Sequence, residues 1–228
     1  MRYLYRPSEV ETLMVRGRYD FVNGDGEVWA SEVWERYQND GSPVQTWRSE
    51  WTGEREGQRF ALVSHSVVSP EGLERVKLRL ILPDYPQQNL SVTTMPDSVL
   101  VNDDGDYDER ALPAGYGIFA PQPSLARFAF PFDLASEERE LGIVFFVRLR
   151  LQGGRLHGRP TKFDYTPLGL RDFEVRAKSV RGKGWRMEVP GLPRQEGWFD
   201  RNGTCLHWVV DDGKRSWEAQ LADWLTFG

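Results

Sequence analysis

Apolar and polar residues alternate with a period of two over most of the chain, and short turn sequences separate the alternating runs. Leu73–Leu82 places Val76, Leu78, Leu80 and Leu82 on one face and Lys77 and Arg79 on the other, and Phe60–Val68 precedes it across the turn Ser69-Pro70-Glu71-Gly72. Ile143–Leu151 repeats the pattern, with Phe145, Val147, Leu149 and Leu151 opposite Arg148 and Arg150. Near the C-terminal end, Asn202-Gly203 and Asp212-Gly213 divide Glu196–Leu221 into three strands. Residues of these types take positive φ at low cost and suit the primed turns of hairpins. Arg171–Val180 reads as a strand that turns at Arg181-Gly182-Lys183-Gly184 into Trp185–Val189. Leu156–Lys162 and Phe163–Tyr165 read as short strands before a turn at Pro167-Leu168-Gly169. About a dozen strands with turns every 8–12 residues describe an antiparallel meander. A sheet of that length must curl, split or close. The expected fold is all-β: a single domain over residues 1–228, one large antiparallel meander curled into an open barrel or β-roll, with Glu196–Leu221 as its closing edge.

The strand pattern lapses between Ala111 and Asp133. This stretch holds four prolines and the aromatics Tyr116, Phe119, Phe128, Phe130 and Phe132, and Pro123-Ser124 predicts a short helix through Phe128. An apolar but irregular stretch of this length covers a sheet or serves as a functional lid. A bent sheet wrapped around it as a plug buries its phenylalanines. Just before it, the acidic run Asn102–Glu109 fails as a calcium loop, because placing Gly105 at the sixth position puts Leu100 and Ala111 where ligands are required. It reads as a solvated turn.

Glu27–Tyr37 has no clean face: Trp29, Ser31, Val33, Glu35 and Tyr37 alternate with Val28, Ala30, Glu32, Trp34 and Arg36. A strand of this kind fits either a curved sheet lining a partly polar cavity or an edge with a half-exposed tryptophan. His65 shares a face with Ala61, Val63 and Val67, where it serves as a ligand or base, or as a core histidine with a hydrogen-bond partner.

Composition narrows the function. Nine tryptophans and 13% aromatic residues supply a core, and the formal net charge of −5 argues against nucleic acid as the main partner. The basic cluster Arg176, Lys178, Arg181, Lys183 and Arg186 is interleaved with acids and reads as a solvated sheet face. Cys205 is the one cysteine, which excludes an intrachain disulfide and a multi-cysteine zinc site; it reads as a small buried residue. Gly115-x-Gly117-x-x-Ala120 has no βαβ unit around it and is discarded as a dinucleotide fingerprint. With neither a signal-like apolar core near Met1 nor a membrane-spanning run, the expectation is a cytoplasmic protein without integral membrane association.

The meander, its plug and the late segment Trp-Phe-Asp-x-x-Gly-x-Cys-Leu at 198–206 resemble the unclosed β-barrels of bacterial lipoprotein carriers and the spiral β-roll of glycolipid-binding proteins. The resemblance implies an apolar cavity that holds an acyl chain or a similar ligand. The leading expectation is therefore non-catalytic binding of a hydrophobic small molecule, with Tyr116, Phe119, Phe128 and Phe130 as the lid and Trp29, Trp34, His65 and Trp198 as the wall. Two alternatives stand beside it. One is a protein–protein interaction module, self-association included, using a sheet edge or aromatic patch; the other is a barrel-type enzyme pairing His65 or His207 with a carboxylate such as Asp200. No catalytic residue, metal ligand or cofactor is assigned.

Overall fold

The computed structural model describes residues 8–55, 57–211, 213 and 216–227. Asp212, half of one expected turn signal, lies outside that set. The strands in chain order are β1 (Glu11–Asn23), β2 (Val28–Asn39), β3 (Gln45–Arg55), β4 (Gln58–Ser69), β5 (Gly72–Leu82), β6 (Tyr85–Thr94), β7 (Ser98–Asp103) and β8 (Asp106–Ala111). They continue as β9 (Gly117–Phe119), β10 (Glu140–Arg150), β11 (Arg155–Val175), β12 (Lys178–Glu188), β13 (Arg194–Phe199), β14 (Cys205–Asp211) and β15 (Ser216–Thr226). All fifteen lie in one sheet that hydrogen bonds do not close, an open all-β barrel or roll as expected.

The seam of the sheet lies at its middle. β15 pairs antiparallel with β1, Tyr19 opposite Leu221 and Phe21 opposite Ala219, so the order runs from β8 down to β1, then from β15 down to β9. Glu196–Leu221 is therefore central and not the closing edge. The edges are β8 and β9, in the region where the sequence pattern predicts no strand. β8 is exposed and carries Asp106, Asp108 and Glu109, charges that discourage pairing with another chain. β9 is buried over its whole length and pairs in parallel with β10.

The β9 edge is rolled inward. Val144–Val147 of β10 are buried on both faces, with Phe146 against Phe119 on one side. Behind the hairpin, the Gln88 side chain of β6 donates to the Leu156 carbonyl (3.3 Å) and accepts from the Leu156 N–H, while Arg110 Nη1 donates to Gly158 O (2.8 Å). Side chains and not a strand ladder join the two ends of the sheet.

Two boundaries differ from the sequence pattern for a steric reason. The chain does not turn at Arg181–Gly184: β12 runs straight through, because its glycines make room for neighbouring rings. A Cβ on Gly184 would lie 2.4 Å from Trp198 Nε1, and one on Gly182 2.9 Å from Leu206 Cδ1. The reversal falls earlier, at Arg176 and Ala177, both at positive φ (48° and 57°). β11 is likewise one strand of 21 residues, which absorbs Pro167–Gly169 as a register shift instead of a turn.

The expected short helix is a 3-10 helix, Pro123–Ala129, and it fills the middle of the roll as a plug: Leu125, Ala126 and Ala129 are buried. Phe119 and Phe130 are buried beside it, as the wrapped sheet requires. Tyr165 of β11 donates to Ala129 O (2.6 Å), and Gln122 Nε2 donates to Ser49 Oγ (3.2 Å) and Leu62 O (3.3 Å). These bonds tie plug to wall, while the buried Gln122 Oε1 has no partner among the described residues.

Candidate functional site

With its centre plugged, the roll is open at both ends. The site begins from the interior face of β1–β4, where register places Phe21 opposite Ala30, Ala30 opposite Gly53 and Gly53 opposite Phe60. Small residues between large ones let the aromatic rings lean together. Phe21 stacks on Trp51 at 4.7 Å, Trp51 meets Phe60 edge-on at 5.2 Å, and Trp29 meets Trp217 of β15 edge-on at 6.0 Å. A bulge in the β1–β2 ladder between Phe21 and Val22 falls beside Trp29, so this tryptophan joins the cluster although strict alternation places it on the other face.

These rings form one wall of a cavity of about 710 Å³ at the end where β3, β10 and β14 finish. Phe119, Phe146 and Trp208 form its floor and far wall, Phe119 lying 4.7 Å from Phe146 and 6.0 Å from Trp208. Its rim carries Arg55, Arg148 and Arg150 and, among the described residues, no carboxylate. Arg55 lies over the Trp29 ring at 5.8 Å. A side recess of about 120 Å³ adds His157 and Arg159, and shares Phe146, Arg148, Arg150 and Leu192 with the main cavity. Aromatic walls, a few polar groups and a volume within about 300–1,000 Å³ are the usual attributes of a small-molecule site.

The eight residues expected at a site are dispersed. Trp29 and Phe119 line this cavity. Tyr116, Phe128 and Phe130 line a second cavity of about 830 Å³ at the opposite mouth, where Phe128 packs on Trp47 at 5.1 Å. There Arg127 is committed to the carbonyls of Phe130 and Phe132, and Tyr116 donates to Ser98 O (2.6 Å). Trp34 is buried in the core, stacked on Tyr19. His65 lies on the outer face of β4, opposite Arg48 and Lys77, where burial and the Arg48 charge hold its pKa below the usual value. Trp198 is outside too, stacked on His207 at 5.5 Å.

His207 bonds Glu218 at 2.6 Å and not Asp200, whose carboxylate accepts the backbone N–H groups of Asn202 (2.9 Å) and Thr204 (2.7 Å) in the hairpin turn. Burial lowers the His207 pKa, and the Glu218 partner opposes that shift. Among the described residues no group of histidine, cysteine and carboxylate side chains is placed to hold a metal, and no helix is long and apolar enough to cross a membrane.

Solved structures share this architecture. The chain is similar to a β-barrel-like protein of the domain of unknown function DUF1849 from Brucella abortus, with a TM-score of 0.62 and 10% identity over 96% of this chain and 100% of that one. A DUF1089 family protein from Pseudomonas aeruginosa matches 77% of this chain and 87% of its own length, with a TM-score of 0.50 and 15% identity. Both likenesses are of fold alone. In sequence, the chain matches no protein-family model and no curated protein.

Trp51, Phe60, Trp208, Trp217 and the arginine rim escape a reading by periodicity. Arg148 and Arg150 fall on the polar face of an ordinary half-buried strand, and only the inward roll of β10 turns that face toward a cavity. The mixed faces of Glu27–Tyr37 were the available signal, and they mark Trp29.

Proposed function

We propose that the chain is a non-catalytic binder of a lipophilic small molecule, held in the aromatic cavity between Trp29, Trp51, Phe119, Phe146, Trp208 and Trp217. The observation that carries this reading is the cavity itself: about 710 Å³ of space walled by aromatic rings, kept open because the plug occupies the centre of the roll and stops short of this end. Apolar walls on a preformed site favour an apolar occupant, since water there makes few hydrogen bonds. The open-barrel neighbours are compatible with such a role.

The test uses N-phenyl-1-naphthylamine, a dye whose emission rises in apolar surroundings, with protein purified without detergent and checked by native mass spectrometry for a bound hydrophobic mass. Saturable binding to the native chain, reduced about tenfold or more in the cavity-filling variants L192W and V210W, is the expected result. Dye binding that neither variant changes overturns the assignment to this cavity, and no binding overturns the reading.

A further inference from the structure

The same cavity carries a second feature that its aromatic wall does not explain. In the β10–β11 hairpin, Phe146 stands opposite Arg159, Arg148 opposite His157 and Arg150 opposite Arg155. Side chains two apart on a strand share a face, so four arginines and a histidine crowd one side of a two-stranded ribbon. Like charges directly opposite each other are destabilising unless an anion lies between them. Among the described residues, none of Arg148, Arg150, Arg155 and Arg159 forms an ion pair. Many surface arginines elsewhere are matched, Arg139 to Asp164, Arg176 to Asp223, Arg181 to Asp172, Arg186 to Glu196 and Arg194 to Asp211, though among the described residues Arg171 and Arg201 are not. In a chain of net charge −5, a basic mouth with no acid among its described lining residues is a local departure.

The ribbon is also fixed in place. The free edge of β11 is held by the Gln88 and Arg110 bonds to the Leu156 and Gly158 backbone, and the turn glycine Gly154 packs against Tyr85 and Leu82. A row of exposed guanidinium groups on a fixed ribbon beside an aromatic cavity matches a molecule with an acidic head and an apolar tail, because guanidinium forks pair with carboxylate or phosphate oxygens.

We infer that the occupant is an anionic amphiphile, its tail among the aromatic rings and its carboxylate or phosphate head on Arg148, Arg150, Arg155 and Arg159. This rests on the binding role proposed for the cavity.

Three probes compete with N-phenyl-1-naphthylamine: hexadecanoate, hexadecan-1-ol and inorganic phosphate. The native chain is expected to bind hexadecanoate about tenfold or more tightly than the alcohol, with an affinity that weakens as salt rises. The variants R148Q/R150Q and R148E/R150E are expected to lose that preference while binding the alcohol within about twofold of the native chain. If acid and alcohol bind alike in the native chain, or if the preference survives both variants, the acidic head is overturned while the apolar cavity stands. If neither long-chain probe displaces the dye, the amphiphile is overturned, and a dye that fails to bind at all removes the cavity reading beneath it. Inorganic phosphate that binds as tightly as hexadecanoate overturns the amphiphile in favour of a free anion.

Discussion

Ser124 of the plug donates both its hydroxyl and its backbone N–H (3.3 Å) to the Glu32 carboxylate of β2, a group with 0% of its surface exposed. Burial raises the Glu32 pKa from the usual 4.5 to about 7, against the Ser124 and Ser49 hydrogen bonds, which lower it. The folded chain therefore holds a proton that the unfolded chain has released across that interval. Glu32 supports folding in full below pH 4.5, and its support is lost as pH rises through about 7. The swing is on the order of 3 kcal/mol. Urea unfolding of the native chain and of E32Q at several pH values isolates this carboxyl from His65 and His207, whose lowered pKa values act in the opposite direction. The difference in stability, E32Q minus native, is expected to grow between pH 5 and pH 7.5; a pH-independent difference contradicts the assignment.

Gly17 of β1 lies under the Trp34 ring, and a Cβ there would sit 2.4 Å from Trp34 Cε2. Trp34 is buried and has no room to retreat. Gly17→Ala is expected to cost roughly 1–3 kcal/mol through overpacking, read as a lower urea midpoint with an unchanged slope. Gly26→Ala supplies the contrast: its φ is +82° with nothing within 4 Å, so its cost is limited to about 1 kcal/mol of backbone strain.

Ala177 adopts φ 57° at the β11–β12 reversal, a conformation that a Cβ disfavours. Ala177→Gly is expected to raise stability by up to about 1 kcal/mol, seen as a higher thermal midpoint, while Arg176 keeps its ion pair with Asp223. A loss of stability would show that the unfolded chain gains more freedom than the turn loses in strain.

Cys205 is buried, and burial first, then the Glu32 charge, pushes its thiol well above the usual range. A thiol held protonated and covered is a poor nucleophile. At pH 8 a disulfide reagent such as dithionitrobenzoate is expected to react with the folded protein only as fast as the chain opens, and at once in denaturant. Prompt reaction in the folded state would mean that β14 is not closed over the sulfur.

Local features were legible and distant ones were not. Turn residues such as Asn202-Gly203 and the alternation of Leu73–Leu82 depend on neighbours in sequence, and the hairpins follow them. The glycines of β12 carry the same letters as a turn and mean the reverse, because Trp198 and Leu206 arrive from other strands to claim the space. The β1–β15 pairing joins residues some two hundred positions apart, and no local pattern names Leu221 as the partner of Tyr19. The site suffers most from this. Trp29 and Phe119 meet only when β2, β9, β14 and β15 surround the same space, and the arginine row becomes a feature of an interior only once β10 has been rolled in.

The placement of the seam also dictates an order of events. A nascent chain that has emerged as far as β14 carries two runs of hairpins, each able to form from its own neighbours, while β1 waits with one side unpaired. β15 is the strand that joins the two runs, and its ladder with β1 closes a loop nearly as long as the chain, the slowest kind of contact to form. The mouth with Trp29 on the first run and Trp217 on the joining strand is therefore assembled last, and a ligand resting across these two rings is a fastening across the final joint.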